Sequence, residues 1–143
     1  MKIRELVSVN DEVLDAFRNL IPLLSPSSAL PSRKDLETIV NSNNTKLFIA
    51  EEGNDIIGTL TLVFNKIPTG EKAWIEDVVV DNSARGKGVG KSLTQFAIDY
   101  AINRGINKID LTSSPERIAA NNLYQKLGFK KRVTNVYRYF NNK

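Results

Sequence analysis

Within seven residues, Arg85-Gly86-Lys87-Gly88-Val89-Gly90-Lys91 combines three cations with three glycines, and apolar residues at helical spacing follow at once. That combination suits an anion. Glycine has no Cβ, so a ligand can approach the backbone closely, and the first N–H groups of a helix have no acceptor within it. Those N–H groups and the positive end of the helix dipole both favour phosphate oxygens. Elsewhere in the chain, proton transfer would fall to Glu, Asp, Tyr, Lys or backbone groups. The chain has no cysteine and no histidine. A thiol nucleophile, disulfides, a Ser-His-Asp arrangement and thiolate or imidazole metal sites are therefore excluded, and no metal is expected.

The loop departs from the commonest nucleotide motifs. A Walker A loop needs Gly-x-x-x-x-Gly-Lys-Ser/Thr; Gly90-Lys91-Ser92 satisfies its end, but Arg85 stands where the first glycine should be. Asn107-Lys108-Ile109-Asp110 imitates a guanine-reading box, yet lies too few residues downstream to close a nucleotide-binding sheet. The dinucleotide fingerprint fails because the glycines are spaced two and two.

The elements that must position these residues are legible from pattern. Val89, Leu93, Phe96, Ala97, Tyr100 and Ala101 predict a helix from near Gly88 to Gly105. Ahead of the loop, Ala73 to Val80 reads as a strand, with Trp74, Glu76, Val78 and Val80 on one face and Ile75, Asp77 and Val79 on the other. Further upstream, Ile3–Val7 reads as a strand, and Asn10 caps a helix with the stripe Val13, Leu14, Phe17, Leu20, Ile21 and Leu24. After a turn-rich Ser25–Pro31, Ser32-x-x-Asp35 forms a capping box for a short helix. Leu47–Glu51 and Ile56–Phe64 form a hairpin about Gly53-Asn54. Downstream, Lys108–Thr112 is a strand parallel to the one before the loop. Ser113-Ser114-Pro115-Glu116 opens a helix carrying Ile118, Leu123 and Leu127, which Gly128 stops, and Phe129 onward reads as closing strands turning near Thr134-Asn135.

With 143 residues, the chain suffices for one domain, residues 1–143, with a real core. Its net charge of +4 is unevenly placed: residues 1–84 are net acidic and residues 85–143 net basic. A basic half that begins at the glycine loop suggests a phosphate-bearing ligand; the aromatic interleaving or helix-turn-helix pattern of a nucleic-acid binder is missing, and no nucleic-acid partner is expected. No apolar leader and no run near the roughly 20 apolar residues of a membrane span is present, so the expected location is cytoplasmic, without a membrane.

Three stretches carry a family resemblance. Arg85-x-x-Gly88-x-Gly90 is similar to the pyrophosphate-binding motif Arg/Gln-x-x-Gly-x-Gly/Ala of the GNAT superfamily of acetyl-CoA-dependent N-acetyltransferases. Ala119-Ala120-Asn121-Asn122-Leu123-Tyr124-Gln125-Lys126-Leu127-Gly128-Phe129 resembles its second signature, and Trp74-Ile75-Glu76-Asp77 followed by valines resembles the central strand of its polyamine and small-amine members. The resemblance covers residues 73–129.

It implies an α/β (α+β) fold, the GNAT fold, with a mixed central sheet of about six to seven strands, splayed fourth and fifth strands and helices on both faces. The cofactor it implies is acetyl-CoA. Backbone groups of Val78 and Val80 would pair with pantetheine amides, and the N–H groups of Arg85, Gly86, Lys87, Gly88, Val89, Gly90 and Lys91 would hold the pyrophosphate. Asn121 matches a cofactor-contacting position, though a helix-surface amide is the plainer reading. The implied reaction is direct attack of a primary amine in a ternary complex, with Glu76 as general base and Tyr124 as general acid. An ion pair at a strand edge and a core aromatic are the plainer readings of those two. Ser27, Ser28 and Leu30 are candidate acceptor contacts. Peptide N-termini, protein lysines, polyamines and aminoglycosides all fit the acceptor, and a homodimer is compatible. The alternative class is a non-catalytic acetyl-CoA sensor or interaction domain with the same fold.

Overall fold

The computed structural model describes residues 1–142, in two units: Met1–Thr112, and the chain from Ser113 onward. In the first unit, β1 (Lys2–Glu5), β2 (Thr45–Glu52), β3 (Asp55–Ile67) and β4 (Gly70–Val80) form an antiparallel meander. A short fifth strand, β5 (Ile109–Asp110), joins β4 in parallel, giving the order β1-β2-β3-β4-β5. Five strands among the described residues replace the expected six to seven, and the difference lies at the C-terminus. Residues 129–142 form no strand, and Val133, Val136, Tyr137, Tyr139 and Phe140 are exposed. Alternation makes a segment able to pair, but a strand exists only where a neighbour takes its N–H and C=O groups.

Helices cover both faces of the sheet. α1 (Asp11–Leu24) is capped by Asn10, whose Oδ1 accepts from the Val13 N–H at 2.8 Å. α2 (Arg33–Val40) starts in the expected capping box, the Asp35 carboxylate accepting from the Ser32 N–H and the Ser32 hydroxyl from the Asp35 N–H. These two helices bury Val13, Phe17 and Leu36 with Leu47 and Ile49 of β2. Phe48, between those two residues, points the other way and meets Phe96 and Tyr100 of α3 (Val89–Asn103), with ring centroids 5.0 and 5.1 Å away. Strand alternation thus assigns one face of the sheet to α1 and α2 and the other to α3.

α3 lies close to the sheet because β3 carries Gly58. A Cβ there would stand 3.1 Å from Val89 Cγ1, 3.2 Å from Leu93 Cδ1 and 3.2 Å from the Val79 carbonyl oxygen. Leu93, Ala97 and Ala101 are fully buried along the same helix.

The second unit contains α4 (Ile118–Lys126), which starts later than the Ser113-Ser114-Pro115-Glu116 signal suggests. Residues 114–117 form a turn closed by the Arg117 N–H on the Ser114 carbonyl at 3.1 Å. Ile118, expected in the apolar stripe, is exposed at the first helical position. The helix ends as expected at Gly128, in the left-handed region at φ 105°.

Candidate active site

β4 determines the site, and a bulge determines β4. Thr61 pairs with Glu76 and Thr59 with Val79, so Leu60 alone faces two residues, Asp77 and Val78. Asp77 takes φ 50°, the one positive value among the described non-glycine residues. Aspartate tolerates that region better than a β-branched residue would, and a bulge bends its strand and re-aims side chains. Strict alternation would have put Glu76 with Val78 and Val80, opposite Asp77. Instead the register places Trp74, Glu76 and Val79 on the α1/α2 face, while Ile75 and Val80 lie on the α3 face. Both Glu76 and Asp77 are exposed.

On its other edge β4 is mostly free. β5 pairs only with Ala73 and Trp74, so from Ile75 to Val80 the backbone of β4 has no β5 partner. Here the fourth and fifth strands part. The edge includes Val78 and Val80, both half-buried.

The loop follows directly. Asp81 caps a single 3-10 turn, Asn82–Ala84, its carboxylate accepting from both the N–H and the hydroxyl of Ser83. Gly86 and Gly88 both adopt φ 79°, and Gly88 is the N-cap of α3 with no capping side chain. Nothing crowds either Cβ position, so glycine is required here by backbone conformation and not by space. The first intrahelical bond from this end is the Ser92 N–H to the Gly88 carbonyl, 3.0 Å, which leaves the N–H groups of Val89, Gly90 and Lys91 without a helical acceptor. Arg85, Lys87 and Lys91 are exposed, and none forms a salt bridge among the described residues. A pyrophosphate fits this donor set: free N–H groups at a helix start, two left-handed glycines and three unengaged cations.

Against the same strand, on the α1/α2 face, lies a cavity of about 240 Å³. Its wall is mainly apolar, with Phe17, Ile21, Leu24 and Leu36 from the helices, and among the described residues Asp77 is the only charged one lining it. Glu76 is not among the lining residues, and neither are Ser27 and Leu30; Ser28 is, its hydroxyl bonded to that of Ser25 at 2.6 Å. Asp77 is the site residue that strand alternation hides. The available signal was its type, since an acidic residue inside a valine run is one that can accept a positive φ.

Tyr124 and Asn121 belong to the second unit. Tyr124 is buried, its ring edge-on to Phe129 at 5.9 Å between centroids. Burial raises the pKa of its phenol, with the Arg117 charge acting in the opposite sense. Its hydroxyl has no hydrogen-bond partner among the described residues. The Asn121 amide donates to the Ser114 carbonyl at 3.0 Å, holding the turn before α4 and leaving its own carbonyl oxygen free to accept.

The sequence matches the acetyltransferase (GNAT) family over residues 10–129. Glucosamine 6-phosphate N-acetyltransferase of Trypanosoma brucei brucei is 37% identical over 60% of this chain and 58% of its own length. Streptothricin acetyltransferase of Escherichia coli is 34% identical over 74% of this chain and 60% of its own. The chain thus spans about three-fifths of the length of these two curated relatives. Among solved structures, an aminoglycoside acetyltransferase from an uncultured soil metagenomic sample, in complex with sisomicin, aligns at TM-score 0.85 with 22% identity over 99% of this chain and 96% of its own. AAC(6')-Iy in complex with a bisubstrate analog, CoA-S-monomethyl-acetylneamine, aligns at TM-score 0.78 with 25% identity over 97% of each chain. With a family match across most of its length, a mixed sheet that opens between β4 and β5, and a glycine loop at the start of α3, the chain belongs to the GNAT acetyltransferase family.

Proposed function

We propose that this chain is an N-acetyltransferase that moves an acetyl group from acetyl-CoA to a primary amine in a ternary complex. The observation that carries the reading is the loop after β4, with its two left-handed glycines, unpaired N–H groups and three cations at the start of α3. The N–H groups from Arg85 to Lys91 would bind the pyrophosphate, and the free β4 edge at Val78 and Val80 would pair with pantetheine amides. Asn121 would add a cofactor contact through its carbonyl oxygen. The family match runs across the boundary between the two units, which favours one functional domain over residues 1–143.

Acetyl-CoA supplies the acetyl group as a thioester. An alkylamine is protonated near neutral pH and cannot attack in that form, so a base must take a proton. Glu76 is our choice: it is exposed and adjacent in sequence to the cavity-lining Asp77. As the N–C bond forms and the C–S bond breaks, the Val78 N–H would stabilise charge on the carbonyl oxygen and the Tyr124 hydroxyl would give a proton to sulfur. Tyr124 can take the acid role because a phenol is protonated at neutral pH; burial raises its pKa and so leaves it a weak acid that acts by hydrogen bonding as charge builds on sulfur. The absence of cysteine favours direct transfer over an acetyl-enzyme.

The test is turnover: acetyl-CoA and a panel of primary amines, with release of the coenzyme A thiol followed alongside the acetylated product. The proposal expects stoichiometric thiol and acetylamide with at least one amine. Tight coenzyme A binding without acetylation of any amine, peptide N-termini and lysines included, would instead favour the binding-only alternative.

A further inference from the structure

The cavity on the α1/α2 face restricts what the acceptor can be. Among its lining residues the polar groups are few and mostly committed. Thr59 is buried and its hydroxyl donates to the Phe48 carbonyl at 2.9 Å, while Ser25 and Ser28 bond each other. The Asp77 carboxylate and the Thr61 hydroxyl line the space with the apolar side chains of α1 and α2, and the Ser25–Ser28 pair keeps one O–H donor beyond its mutual bond. Among the described residues no lysine or arginine lines the space.

Resting on the acetyl-transfer reading, we propose that this cavity is the acceptor site and that it takes a primary monoamine carried on an apolar body. The ammonium group docks on Asp77, which the bulge turns to this face, and the hydrocarbon lies against α1 and α2. A space of about 240 Å³, open on one side, suits a small amine such as an arylalkyl or branched alkyl amine. A polyamine or aminoglycoside would bring further charges for which the described lining residues offer no second carboxylate, so those charges would have to stay at the open mouth and gain no ion pair. A sugar phosphate would find no cation to meet its phosphate. The proposal therefore separates this chain from relatives whose names specify sugar phosphates and from structural neighbours that bind aminoglycosides.

Calorimetric titration of phenethylamine, spermidine and glucosamine 6-phosphate, with and without coenzyme A, tests it. The variants are Asp77→Asn and Ala29→Phe. Asparagine accepts the positive φ of position 77, and Ala29 is an exposed loop residue on the cavity wall, so both variants should fold. The expected result is phenethylamine bound at least tenfold more tightly than the other two, and weakened at least tenfold by either variant. Preferred binding of spermidine or glucosamine 6-phosphate, or phenethylamine binding that both variants leave unchanged, would overturn it. Binding as expected with no amine of the full panel acetylated would leave the cavity assignment standing and remove the acetyl-transfer reading. Preferred acetylation of spermidine would do the reverse.

Discussion

The two faces of the sheet in the first unit are built to different standards. On the α3 side, Leu60, Leu62 and Phe64 of β3 are buried beneath the helix; Tyr100 lies 6.1 Å from Phe64, and the Arg104 guanidinium stands 4.0 Å above the Phe64 ring. Gly58 lets the helix approach until its side chains meet the strand backbone. On the α1/α2 side the same strand presents Thr59, Thr61 and Val63, and the helices leave a cavity beside the bulge of β4. A closed face holds the glycine loop at a defined place, because α3 begins at Gly88 and packs tightly from Val89 onward. An open face can hold a second ligand. The division suggests that stability and cofactor binding depend on one side and acceptor choice on the other.

Shortening side chains should expose the difference most strongly. Phe48→Ala on the closed face is expected to cost about 3–5 kcal/mol, since a fully buried ring with two aromatic neighbours leaves a cavity that cannot collapse. Leu24→Ala already borders empty space and should cost about 1 kcal/mol. Urea unfolding of both variants measures this, and equal losses would break the contrast.

Catalytic substitutions come next. Glu76→Gln keeps the side-chain shape and removes the proposed base, so on that proposal turnover at neutral pH should fall on the order of 10²-fold or more, with coenzyme A affinity nearly unchanged and partial recovery at high pH. An unaltered pH–rate profile would move the base to Asp77 or to a water chain. Tyr124→Phe should fold normally, because Phe129 packing needs the ring and not the hydroxyl. It should lower kcat and kcat/KM together, by up to about 10²-fold, and by less if the thiolate leaves readily unaided. Steady-state kinetics with chemistry rate-limiting decides, and unchanged kcat would return Tyr124 to a packing role.

Much of this arrangement was legible in the residues, and what was not has specific causes. The Asn10 cap, the Ser32–Asp35 box, the Gly53-Asn54 turn and the strand–loop–helix around Gly88 depend on local chemistry, and all form as read. The parallel β5 follows from a crossover through a helix. The bulge at Asp77 was hidden because period-two reasoning has no place for an extra residue, and it reverses the faces of everything after it. The proline-containing turn at residues 114–117 competes with the helix it was expected to start, and Asn121 holds that turn in place. The tail from Phe129 is rich in strand-forming residues but forms no strand among the described residues. Gly58 gave no signal of its own, since its meaning depends on a helix thirty residues later in the chain.

The smallest expected effect is alkaline. Burial, and then the neighbouring Glu5, raise the Tyr100 phenol above its ordinary 10.0, and burial raises Tyr124 likewise. Below about pH 10 both phenols are neutral whether the chain is folded or not. Above it the unfolded chain ionises first, so their contribution is lost as pH rises through the folded values. Unfolding free energy measured from pH 8 to 11 should decline at the upper end, and Tyr100→Phe should flatten part of that decline.

The most direct test of the account is calorimetric titration of coenzyme A into wild type, Gly88→Asp and Asp77→Asn. Aspartate at position 88 puts a side chain on a left-handed N-cap and a negative charge among the groups assigned to the pyrophosphate. Asp77→Asn changes the wall of the cavity on the α1/α2 face, the proposed acceptor site. The account predicts that Gly88→Asp abolishes measurable binding while Asp77→Asn binds as wild type does. Coenzyme A bound with wild-type affinity by a folded Gly88→Asp protein would contradict it.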